Sequence, residues 1–302
     1  MEHIEEAGIH SGDSACALPP YSLKAPLVAE IERQSAALAR ELSVKGLMNV
    51  QFAIQGDDVY VLEVNPRASR TVPFVGKATG VPWAKVAALA MVGKSLREQG
   101  IRETPRPAHV SVKEAVFPFA RFRGVDTMLG PEMRSTGEVM GVAADFTIAF
   151  LKAQAAAGNT LPQPKPGETL RAFVSVKDPD KPAIVDLARR LVGLGFEVLC
   201  TSGTAAYLKE HGIATTPVRK VKEGRPSVVD RIIDGEVHFV VNTTAGKQEI
   251  ADSYSIRRET LMHRIPYFTT LTGARAAVGA MEAARRSRPE VRSLQEYHRT
   301  GS

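Results

Sequence analysis

The sequence predicts an α/β protein in two parts, a β-rich half with helical cover followed by a doubly wound parallel sheet. Three observations carry this expectation. Two alternating, β-branched and aromatic runs flank Gly56-Asp57-Asp58 as a β-hairpin would. A stretch from 157 to 168 with Pro162, Pro164 and Pro166 interrupts all hydrophobic periodicity, as an extended linker does. Beyond it, short strand patterns alternate with helical ones, the order that gives parallel strands joined by crossover helices. A chain of 302 residues is long enough for two domains, placed here at 1–157 and 169–302 with a linker at 158–168.

In the first half, residues 26–42 have apolar positions at helical spacing (Leu27, Val28, Ile31, Ala36, Leu38, Leu42). The hairpin runs follow, 48–54 and 59–67. Short helices are expected at 73–79 and 83–92, separated by Gly80-Val81-Pro82, then a strand at 109–116 and a helix at 145–156. In the second half, strands are expected at 170–176, 197–200, 237–241 and 266–268, and helices at 182–194, 205–211, 248–260 and 273–284.

The hairpin carries the first candidate site. Glu63 and Asn65 are two residues apart, so in a strand their side chains leave one face, with Val61 beneath them and Leu62 and Val64 opposite. Gln51 on the partner strand adds a third hard oxygen, the donor type that Mg²⁺ on nucleotide phosphates requires. A carboxylate buried among Val and Leu would need a cation, and Arg67 just past the strand offers a guanidinium fork to phosphate oxygens. The same pattern also fits an ordinary amphipathic hairpin whose polar face meets water.

The second candidate site follows from the parallel sheet, since ligands of such folds bind beyond the carboxyl ends of the strands. There lie Ser175 to Asp178, the turn Thr201-Ser202-Gly203-Thr204, and Asn242-Thr243-Thr244, with Lys181 and Lys220 available as point charges. Hydroxyl-rich turns that open helices offer free N–H groups to an anion. Each turn taken singly is equally an ordinary N-cap.

Composition narrows the function classes. Hydrophobic residues at 44% and charged residues at 24% suit a globular protein. No apolar run reaches the roughly 20 residues of a bilayer-crossing helix, and the acidic start is unlike a secretory signal, so no membrane partner and a cytoplasmic location are expected. Cys16 and Cys200 are too few for a disulfide framework or zinc site and read as small buried residues. The net charge of +6 is scattered and aromatics make up 6%, which argues for anionic small molecules and against nucleic acid.

The stretch Gly46-Leu47-Met48-Asn49-Val50-Gln51-Phe52-Ala53, then Leu62-Glu63-Val64-Asn65-Pro66-Arg67-Ala68-Ser69-Arg70-Thr71, resembles the end of the second ATP-grasp module of the carbamoyl-phosphate synthase large-subunit family. So do His10-Ser11-Gly12-Asp13-Ser14-Ala15-Cys16 and Leu129 onward through Gly141, and the similarity runs to the C-terminus. It implies a partial ATP-grasp α+β domain followed by a methylglyoxal-synthase-like, Rossmann-like regulatory domain. The implied activity is ATP-dependent phosphorylation of carbamate to carbamoyl phosphate. Gln51, Glu63 and Asn65 would bind Mg²⁺ or Mn²⁺, Arg67 would act on the transferring phosphoryl group, and His3, Glu5, Ile9, His10 and Ser11 would line the adenine side and a K⁺ site.

The resemblance further implies ornithine contacts at Glu5, Asp13, Glu114 and Thr269, and UMP or IMP contacts at Lys181, Thr201, Ser202, Gly203, Thr204, Lys220, Asn242, Thr243 and Thr244. Read without it, His3 and His10 are surface histidines and the three acids are solvated charges. Implied partners are the glutaminase small subunit and a second copy of the chain in a homo-oligomer. Glu6 stands where the family pattern has Gln, and Ser202 where some relatives have His. The family's lid and adenine strands would precede Met1, so the chain alone is expected not to turn over ATP with carbamate. A stand-alone nucleotide-binding regulator is the alternative reading. A methylglyoxal synthase is disfavoured, because 222–227 lacks that enzyme's Gly-Gly-Asp-Gln-Gln loop.

Overall fold

A computed structural model describes residues 1–119, 126–165 and 167–299. Pro166 of the expected linker lies outside them. The first half is built on a four-stranded antiparallel sheet, order β1 (Glu2–His3), β2 (Cys16–Leu18), β5 (Val110–Val116), β6 (Gly137–Ala143). Of these, only β5 was expected. β1 and β2 are too short to show a period of two, and β6 is broken by Gly137 and Gly141. Gly141 has a packing purpose: a Cβ there would stand 2.1 Å from the Ala149 carbonyl oxygen of α4 (Phe146–Ala156), so its absence lets that helix lie directly on β6.

The expected hairpin forms as a separate two-stranded sheet, β3 (Asn49–Gln55) with β4 (Asp58–Asn65). Its second run ends at Asn65, short of the predicted Arg67. The register brings two corrections. Gln51 pairs with Glu63 but Phe52 pairs with Val61, so Leu62 is a bulged residue and alternation breaks there. Val61 therefore shares Phe52's face and not that of Glu63. Glu63 is also exposed, so the cost of burying its carboxylate, which the sequence reading invoked, does not arise. Helix α1 (Ala25–Glu41) forms as predicted, yet none of its residues is buried and its apolar stripe stays half-covered. Helices α2 (Val72–Thr79) and α3 (Trp83–Met91) follow, α2 closing on Gly80 in the left-handed region at φ 73° before Val81 and Pro82.

The second half is a five-stranded parallel sheet, order β11 (Tyr267–Phe268), β10 (Phe239–Asn242), β7 (Leu170–Ser175), β8 (Phe196–Cys200), β9 (Thr216–Pro217). It is doubly wound. Ala172, Val174, Val198 and Cys200 join one core while their neighbours Phe173 and Leu199 join a second on the other face. Helices α5 (Lys181–Gly193) and α10 (Leu271–Arg286) cover the first face, and α7 (Val228–Ile233) and α9 (Tyr254–Met262) the second. α6 (Ser202–Glu210) follows β8. The helix expected at 248–260 is divided at Ser253 into α8 (Gly246–Asp252) and α9.

The first core does not stop at the proline-rich segment. It runs from Ile4, Val112 and Phe150 through Leu161 to Leu170, Ile184 and Ala277, with α4 packed on α10. Leu161 is 4% exposed, so this stretch lies against the core as well as joining the halves. Among the described residues no helix is long and apolar enough to cross a membrane.

Candidate functional site

The strongest site is a cavity of about 510 Å³ beyond the carboxyl ends of β7, β8 and β10, where the topology rule places it. Lys181, Thr201, Gly203, Thr204, Lys220, Asn242, Thr243 and Thr244 all line it. Ser202 does not; as the first residue of α6 it is exposed. The hydroxyls are not spent as ordinary caps. Thr201 precedes α6 without capping it, and its Oγ1 lies 3.1 Å from Ser175 Oγ, leaving the amides of α6 uncapped. Thr204 Oγ1 accepts from Val176 N at 3.4 Å and Thr243 Oγ1 from Lys177 N at 3.1 Å, so these buried hydroxyls tie three strand ends together.

Charge in this cavity is mixed but ordered. Lys181 Nζ pairs with Asp178 Oδ1 at 2.7 Å and lies over Gly203, 3.5 Å from where a Cβ would sit. Lys222 pairs with Asp252 at 2.5 Å. These hydrogen bonds from Lys181 and Lys222 hold the Asp178 and Asp252 carboxyls below the usual range. Lys220 has no carboxylate within 4 Å among the described residues, which leaves its ammonium available to an anion. Lys222, Asp252 and Ile256 were missed in the sequence reading because helix and turn bring them in from the far side of the sheet.

A second cavity, about 200 Å³, lies between the halves. Glu5, Glu114 and Thr269 line it, together with Gln154 and Arg257, which the sequence reading did not single out. Gln154 Nε2 donates to Glu114 Oε2 at 2.6 Å, while Glu5 Oε2 is buried with no partner. Burial first, then the charge of Glu114, pushes the Glu5 carboxyl up to about 8, and burial pushes that of Glu114 up to about 7. The solvated-charge view of these acids is therefore corrected. Asp13, also buried, is absent from this cavity: its carboxylate accepts the amides of Arg134 and Ser135 at 2.7 and 2.9 Å.

On the hairpin, Gln51 stands opposite Glu63, and Asn65 Nδ2 donates to Glu63 Oε1 at 3.0 Å. That bond points the amide nitrogen at the carboxylate and leaves Asn65 Oδ1, Glu63 Oε2 and Gln51 Oε1 as oxygen donors. One carboxylate and two amides suit a divalent ion that also keeps phosphate and water ligands. Among the described residues no group of three or more His, Cys, Asp and Glu forms a metal cage. Arg67 is exposed and its Nη1 donates to Ala68 O at 3.2 Å.

His3, Ile9, His10 and Ser11 belong to the four-stranded sheet and its first loop, and no hydrogen bond or ion pair among the described residues joins them to Gln51, Glu63 or Asn65. Burial, then Lys113, lowers His3 to about 4, so its ring is neutral and not a charged surface group. Both thiols are buried as expected, and burial pushes each up to about 12.

Residues 1–99 match the family model described as "Carbamoyl-phosphate synthase L chain, ATP binding domain", and residues 183–269 match the "MGS-like domain". The carbamoyl phosphate synthase large chain of Myxococcus xanthus is 62% identical over 98% of this chain, and those of Xanthomonas campestris and Mesorhizobium japonicum are each 57% identical, over 99% and 98%. Over 98–99% of its own length the chain is similar to carbamoyl phosphate synthase large chains. It spans 27% of the length of the Myxococcus relative and 28% and 25% of the other two. The hairpin falls within the ATP-binding match, and the lining of the larger cavity falls largely within the MGS-like match.

Proposed function

We propose that this chain acts in carbamoyl phosphate synthesis, the ATP-dependent phosphorylation of carbamate, with its second half as a nucleotide-responsive regulator. The observation that carries the catalytic part is the Gln51–Glu63 pairing with Asn65 bonded to the same carboxylate. A bound Mg²⁺ or Mn²⁺ would supply charge neutralisation on the phosphates. Gln51, Glu63 and Asn65 would hold it, Arg67 would neutralise charge on the transferring group, and positioning would provide the remainder. His3, Glu5, Ile9, His10 and Ser11 would contribute to the adenine side and a K⁺ site. Lys113 already occupies the Ser11 and Gly12 carbonyls, so a K⁺ in this segment would use other oxygens.

The larger cavity suits a nucleoside monophosphate such as UMP or IMP, its phosphate against Lys181, Lys220 and the α6 amides. The junction cavity suits a diamino acid such as ornithine, its amines on Glu5 and Glu114 and its carboxylate accepting from the Thr269 hydroxyl. The glutaminase small subunit is the expected partner. The test is Mn²⁺ electron paramagnetic resonance with ATP: Glu63→Gln is expected to weaken metal–nucleotide binding at least about tenfold, the loss that removing even an outer partner of a metal ligand brings. Equal binding by both proteins would remove the hairpin from the site. The larger cavity, lined by residues of the second half, also supports the alternative of a nucleotide-binding regulator, and UMP binding without any Mn²⁺–ATP binding would favour it.

A further inference from the structure

Lys113 stands in the middle of β5, paired with Cys16 of β2 on one side and Met140 of β6 on the other. Cys16 in turn pairs with His3, so these side chains share one sheet face. Lys113 is 0% exposed. A buried ammonium is costly unless its donors are met, and no carboxylate among the described residues comes within ion-pair distance of it. Its Nζ donates instead to the carbonyl oxygens of Ser11 and Gly12, at 3.1 and 3.2 Å.

Those two carbonyls belong to the loop that carries His10. The Gly12 amide donates back to His10 Nδ1 at 3.0 Å, so in the neutral ring the hydrogen resides on Nε2, which is then the ring's donor. Gly12 has little freedom, since a Cβ there would meet His10 Nδ1 and Met133 Sδ at 3.1 Å. One glycine thus receives the lysine at its carbonyl and sets the histidine ring through its amide.

We propose that Lys113 is a positioning residue for His10: by holding the Ser11 and Gly12 carbonyls it fixes the loop in the form that selects the Nε2–H tautomer. The purpose of this arrangement rests on His10 facing a nucleotide, but its test does not. In the intact chain with ¹⁵N-labelled histidine, the His10 ring is expected to show the Nε2–H pattern. Lys113→Met is expected to lower the tautomer ratio about tenfold, the worth of roughly one hydrogen bond. Lys113→Gln, which keeps one donor, should fall between. Ser135→Ala removes the neutral 3.3 Å contact to the Gly12 carbonyl and should leave the ratio unchanged.

A folded Lys113→Met or Lys113→Gln protein with the original His10 pattern would overturn the proposal, even if its melting temperature dropped. Failure of both variants to fold would overturn it too, by making Lys113 a folding determinant. Mn²⁺–ATP binding by the same proteins separates the two readings. A lost tautomer with no nucleotide binding in the parent chain keeps Lys113's role and removes the nucleotide's.

Discussion

Glu5 and Glu114 show how position changes what a carboxyl does. Both look like ordinary surface acids in the sequence, yet they line one cavity with raised pKa values, and Glu5 Oε2 has no partner. In the unfolded chain each ionises near its ordinary 4.5, so between there and about 8 the folded protein binds more protons and loses stability as pH rises. Melting temperature should therefore fall from pH 5 to pH 8, and Glu5→Gln should flatten that slope; an unchanged slope would place Glu5 in water. A diamine entering this cavity must ionise the pair, so calorimetry at pH 7 in buffers of different ionisation enthalpy should detect proton release. In the larger cavity Lys220, without a carboxylate partner, should matter most for an anion. Lys220→Ala is expected to weaken UMP by more than about 1 kcal/mol, the value of a charge-assisted contact, and equal affinity would count against the pocket.

Among the elements, long periodic ones were legible and short ones were not. α1, α5 and α10 lie within a few residues of their predicted spans because a stripe repeated over several turns identifies a helix. β1, β2 and β9 have two or three residues each, too few to display a period, and exist because neighbouring strands complete their hydrogen bonds. The hairpin was visible but its Leu62 bulge was not, since a register shift depends on the partner strand. β6 was hidden by Gly141, the residue that allows α4 to approach. Gly141→Ala should push α4 from the sheet and cost about 2 kcal/mol or more, a clash in a packed core. Thermal or urea denaturation would check this, and a neutral effect would mean the helix can shift freely.

Across the whole molecule the halves are fastened by more than the proline-rich stretch. Arg257 of α9, whose side chain is 1% exposed, reaches Asp126 of the first half, with Nε to Oδ1 at 2.7 Å and Nη2 to Oδ2 at 2.5 Å. Burial raises the Asp126 carboxyl, but the guanidinium and the Met128 amide outweigh it and hold the group below its ordinary value. Asp126→Ala would leave a guanidinium buried and unpaired, costing about 3 kcal/mol. The continuous core predicts one cooperative calorimetric transition for the parent chain. Two separate transitions, with Asp126→Ala affecting neither, would show the halves to be independent.

The larger cavity was legible because two physical rules suffice to find it: strand–helix alternation sets a parallel sheet, and such a sheet opens at its carboxyl edge. Hydroxyls and lysines at three strand ends then mark the place. Local pattern likewise placed Glu63 and Asn65 side by side, since residues two apart share a face. The junction cavity, the separation of Asp13 from Glu5 and Glu114, and the burial of Lys113 and Arg257 were settled by contacts between residues more than a hundred positions apart. Charge burial is a property of the space around a side chain, and neighbours in sequence do not encode it.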